Sequence, residues 1–136
     1  MPGALVITIF WIGFVSAISF MESWLKFRAP GITLPVALGI GRLIFKGLNR
    51  VEWALFFLTT LFVIKDLTSF KYAYIGLMVA FFMLILQTFW LLPSMGKRTD
   101  KIIQNEENVP PSKKHFWYVG FELIKLISLV AFILLF

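Results

Sequence analysis

The chain has 136 residues, 60% of them hydrophobic, and a mean hydropathy of +0.88. A soluble domain is about 45–50% apolar, so this is membrane composition, with room for about four crossings and no separate soluble domain. The net charge of +6 reports topology before partners, and no nucleic-acid surface is expected, because the aromatics lie within the apolar stretches. Cysteine is absent, which excludes disulfides, thiol nucleophiles and thiolate metal sites. Sixteen Phe and five Trp fit a bilayer, where Trp gathers at the interface.

The first predicted span covers residues 4–24. No Lys or Arg precedes it, so the basic start of a signal peptide is missing, although Ala17-Ile18-Ser19 has the small-residue form of a cleavage site. Read as a helix, it places Thr8, Trp11, Ser19, Glu22 and Lys26 on one face. Gly13 and Ala17 form a small-xxx-small pair on the opposite face, suited to close helix contact. Glu22 and Lys26 stand in the favourable i, i+4 order.

Pro30 and Gly31 break that helix. Residues 33–47 then read as an amphipathic interfacial helix, with Arg42, Lys46 and Asn49 on one stripe facing headgroups. The alternative is one long helix running from here into the second span. That span, at residues 48–65, is short for a crossing and borrows from its flanks or from a snorkelling Lys65. The third covers residues 72–92 and carries one strongly polar interior side chain, Gln87, on a face with Ala73, Gly76, Ala80 and Met83. Small residues with a single amide mark a packing face, and Pro93 is expected to stop the helix.

Residues 94–115 read as a flexible aqueous loop, with a short helix near 99–105. The last span covers residues 116–136 and holds Glu122 and Lys125. At about 1.5 Å per residue from Phe116 they lie about 9 and about 14 Å deep. A charge near the bilayer centre costs about 2.5–3.5 kcal/mol on insertion scales, so these two are expected to pair at i, i+3.

Ten Lys and Arg fall in connections one and three and two in the second, which predicts loops 25–50 and 94–115 in the cytoplasm and both termini outside. Glu22, Arg42, Glu52, Gln87, Glu122 and Lys125 then share one half of the membrane. Intramembrane ionisable groups of this kind are candidates for a substrate, ion or proton site, here Glu22, Gln87, Glu122 and Lys125. Against that stand plain hydration of Glu22, Glu52 and Arg42 near the interface, and a purely structural Glu122–Lys125 pair. Gln87 reads as interhelical glue more readily than as a ligand group. Arg42, Lys46 and Arg50 could hold anionic lipid headgroups, though topology alone also explains them.

Catalytic readings are thin. His115 has no second His or Cys for a metal site, its pairing with Ser112 is too weak for a nucleophile, and Gly39-Ile40-Gly41 lacks the context of a phosphate loop. No catalytic residue, metal or cofactor is assigned.

The layout carries a resemblance. Glu22-Ser23-Trp24-Leu25-Lys26-Phe27 ends the first span, and Leu34-Pro35 leads to Gly41-Arg42-Leu43-Ile44-Phe45. Phe89-Trp90-Leu91-Leu92-Pro93 closes the third span and His115-Phe116-Trp117-Tyr118 opens the last. This is similar to the small four-helix membrane family of unknown function that includes human transmembrane protein 205, and to related bacterial proteins. The resemblance covers nearly the whole chain, which has a more compact third connection than the human relative. It implies an integral membrane protein and transfers no residue role.

The expectation is therefore an all-α integral membrane bundle of four transmembrane helices with an interfacial helix after the first, in the bacterial cytoplasmic membrane. The leading function is a non-enzymatic accessory, assembly or oligomeric component, with the bilayer and a membrane-protein partner or second copy as its contacts. The rival is a small transporter or a lipid- or ion-handling protein.

Overall fold

The computed structural model describes residues 3–65, 72–104 and 114–136, and the side chains of these except 22, 23, 114 and 115. The expectations for the side chains of Glu22 and His115 and for residues 66–71 fall outside that set. Among the described residues the chain is all-helical, in four long helices: α1 (Gly3–Arg28), α2 (Leu34–Lys65), α3 (Ala73–Ile103) and α4 (Lys114–Leu135). All four are long and apolar enough to cross a membrane.

The turn after α1 follows from two residues. Ile32 N–H donates to the Ala29 carbonyl at 3.2 Å across Pro30-Gly31, and Gly31 takes φ 75°. Pro at the second and a positive-φ Gly at the third position are the demands of a type II turn.

Two expectations are corrected. The interfacial helix and the second span are one uninterrupted helix of 32 residues, about 48 Å long. Gly39, Gly41 and Gly47 all keep helical geometry, and without a positive-φ residue or an interior proline nothing ends the helix between 34 and 65. Nor does Pro93 stop α3, which continues to Ile103 through the first part of the expected loop. The cause is a π turn at Gln87–Leu91, closed by Leu92 N–H to the Gln87 carbonyl. Pro93 follows at the start of the next α-helical segment, where its missing N–H costs little.

The helices pack with their polar stripe inward and their apolar surface outward. Leu43, Phe57, Met78, Phe89, Ile127 and Leu134 are all exposed, an outer surface far more apolar than an aqueous protein carries. α3 and α4 make the closest pair. A Cβ at Gly76 would sit 2.5 Å from the Ser128 carbonyl oxygen and 3.2 Å from the Phe132 nitrogen, so glycine sets that approach. The Gly76/Ala80 face is thus used inside the bundle. Gly13, by contrast, has no neighbour within 4 Å, and Ala17 is exposed.

Candidate functional site

Each helix sends polar side chains to one buried point. Trp11 and Ser19 come from α1, Glu52 from α2, Gln87 from α3, and Glu122 and Lys125 from α4. Trp11, Glu52, Gln87, Glu122 and Lys125 are all 0% exposed.

Lys125 is the centre. Its Nζ donates to Glu52 Oε1 at 2.6 Å, Gln87 Oε1 at 2.7 Å and Glu122 Oε1 at 2.8 Å. An ammonium has three donors, and all three are used. Around it, Gln87 Nε2 donates to Glu122 Oε1 at 2.7 Å, Ser19 Oγ to Glu122 Oε2 at 3.3 Å, and Trp11 Nε1 to Glu52 Oε1 at 3.0 Å. Tyr118, also buried, lies one helical turn before Glu122. Glu52 Oε2 is the one carboxylate oxygen of the cluster without a hydrogen bond.

Local backbone geometry aims these groups. Gln87 opens the π turn of α3, and Ser19 lies in a second π segment, Ala17–Glu22. The wide turn shifts the helical register by one residue and re-points the side chains that follow it. Aromatic rings close the site on two sides. Trp11 and Trp53 meet Phe56 edge-on at 6.3 and 6.2 Å, and Phe56 stacks on Phe81 at 4.9 Å. On the other side Phe45 packs edge-on against Tyr118 at 5.1 Å.

The structure thus brings together Gln87, Glu122 and Lys125 of the four candidates, joined by Glu52, which the sequence placed in the same half of the membrane, and by Trp11 and Ser19. The hydrated reading of Glu52 is corrected. Because α2 is continuous, Glu52 lies about 27 Å from its start and faces the bundle rather than water. Arg42 does not join the core; it pairs with Asp100 of α3. The side chain of Glu22 lies outside the described residues.

A second feature lies at the end of the bundle where connections one and three begin. A cavity of about 700 Å³ is lined by Lys26, Arg42, Lys46, Arg50, Lys97 and Arg98, with Asp100 as its single carboxylate among the described residues. The headgroup candidates Arg42, Lys46 and Arg50 all reach it. Phe45 lines the cavity and abuts Tyr118, so this aromatic pair stands between the cavity and the buried network. Neither Glu122 nor Lys125 lines it.

Chemically, the core is a closed ion-pair network with no donor left on its cation. The cavity is the opposite: concave, cationic and open to a ligand. No protein family, curated protein or solved structure matches the chain.

Proposed function

We propose that the chain is a non-enzymatic integral membrane component, an accessory, assembly or oligomeric subunit, whose polar core locks four transmembrane helices together. The observation that carries this reading is the saturation of Lys125: three donors, three buried acceptors and no exposed atom. A transport site needs a route for water or substrate and a group ready to exchange partners. A fully buried network flanked by aromatic rings favours a fixed role instead.

In this reading α1 to α4 cross the bilayer, loops 25–50 and 94–115 lie in the cytoplasm and both termini lie outside. In a bacterial cell the membrane is the cytoplasmic one. The shared position of the basic residues of both connections around one cavity supports that orientation. Membership of the four-helix family that includes transmembrane protein 205 is proposed on the layout of the chain alone. The open Gly13/Ala17 stripe on α1 suits contact with a partner helix or a second copy.

The natural chain has no cysteine, so a single introduced thiol reports water access cleanly. Ser19→Cys in membrane vesicles should resist a water-soluble methanethiosulfonate reagent, while Lys97→Cys at the exposed rim reacts. Rapid labelling of Ser19→Cys would mean a watery path to Glu122, and the transporter reading would replace this one.

A further inference from the structure

The cationic cavity is built by two helices that outrun the bundle. The first part of α2 lies beside the last part of α3, tied by the Arg42–Asp100 ion pair. Gly96 and Gly39 face this seam: a Cβ at Gly96 would make ordinary contact with Arg42 Cδ at 4.0 Å, and one at Gly39 with Ile103 Cδ1 at 3.9 Å. Lys26 reaches in from α1. A Cβ at Gly41 would collide with the Lys26 ammonium, which therefore lies directly against bare backbone, 5.7 Å from the Phe45 ring centre.

Among the described residues six cations face one carboxylate here, and no carboxylate pairs with Lys46, Arg50 or Lys97. The positive-inside rule asks only that cations lie in the loops. It does not ask that they converge from three helices on one concavity. The rest of the lining is largely apolar, with Phe27, Leu38, Phe45, Leu92 and Met95. The volume of about 700 Å³ is that of a small-molecule site, for which about 300–1,000 Å³ is usual.

We propose that this cavity binds the phosphate of an anionic phospholipid, with the headgroup among the cations and the first methylenes on the apolar wall. Arginine and lysine together suit a phosphodiester, arginine through its planar fork and lysine as a mobile point charge. The apolar wall selects an amphiphile over a free anion. The inference requires that the chain lie in a bilayer, and it stands whether or not the core network is a structural lock.

The test uses the purified full-length chain in dodecyl maltoside, titrated with dioleoyl phosphatidylglycerol and followed by thermal unfolding and native mass spectrometry. A saturable rise in Tm and a retained lipid are expected, with a much weaker response to dioleoyl phosphatidylcholine and none to inorganic phosphate. Each cation near a lipid surface contributes about fivefold in affinity, so Lys46→Gln with Arg50→Gln should weaken the apparent Kd about 25-fold. The charge-matched control, Lys65→Gln with Lys101→Gln, alters exposed residues outside the cavity and should change it by less than about threefold. Gly41→Ala removes no charge but displaces the Lys26 ammonium, and should weaken binding about fivefold. Equal losses in the two double variants would reduce the effect to bulk charge and overturn the site. A full response to inorganic phosphate, or an equal one to phosphatidylcholine, would overturn the anionic-lipid assignment.

Discussion

Lys125→Met is the most informative single change in the core. Methionine nearly matches the length of the lysine stem, so packing is largely kept while the charge and three donors vanish. What remains are Glu52 Oε1 and Glu122 Oε1, which lay 2.6 and 2.8 Å from the lost nitrogen, and a Gln87 carbonyl that has lost its donor. Removing one partner of a buried ion pair typically costs about 3–5 kcal/mol, because the orphaned charge stays in low dielectric. Here two carboxylates are orphaned beside each other, so the upper end of that range is expected. At about 4 °C per kcal/mol for a chain of this size, Tm should fall by about 16–20 °C. The assay is thermal unfolding in detergent, run beside the triple variant Lys125→Met, Glu52→Gln, Glu122→Gln. Neutral amides remove the charge imbalance, and the triple variant should recover at least half of the loss. A Lys125→Met protein within about 2 °C of the native Tm, or a triple variant no better than the single one, would refute the locking role.

Trp11→Phe keeps a ring against Phe56 but removes the donor to Glu52, and should cost about 1–3 kcal/mol by the same unfolding assay. Gly76→Ala forces a methyl toward the Ser128 carbonyl and should cost about 1–3 kcal/mol. Gly13→Ala meets no neighbour and should instead stabilise the monomer by about 0.5–1 kcal/mol through helix propensity. Pro93→Ala should leave Tm within about 2 °C of native, because the π turn ahead of Pro93 already accommodates the missing N–H.

The contrast between Glu122 and Glu52 shows where sequence reasoning reaches and where it stops. Glu122 and Lys125 stand at i, i+3 within one apolar segment, so helical periodicity alone makes them a pair. The partnership of Lys125 with Glu52 spans helices, and no periodicity within a segment sets the register between segments. A further cause is local. Dividing α2 into an interfacial helix and a short span placed Glu52 near a boundary, where hydration was a sufficient explanation. A continuous helix carries the same residue into the bundle, where only a cation could hold it.

The π turns were invisible for a related reason. A one-residue shift in backbone hydrogen bonding leaves little trace in composition, yet it decides that Pro93 continues α3 and gives Gln87 its place at the turn. The two consequences belong together. The same wide turn that seats Gln87 beside Lys125 lets α3 run on to Asp100, whose carboxylate holds Arg42 at the cationic cavity. Core and cavity are therefore joined through one irregular stretch of helix. A change that regularised it would displace the amide from the lock and swing Asp100 away from Arg42 at once.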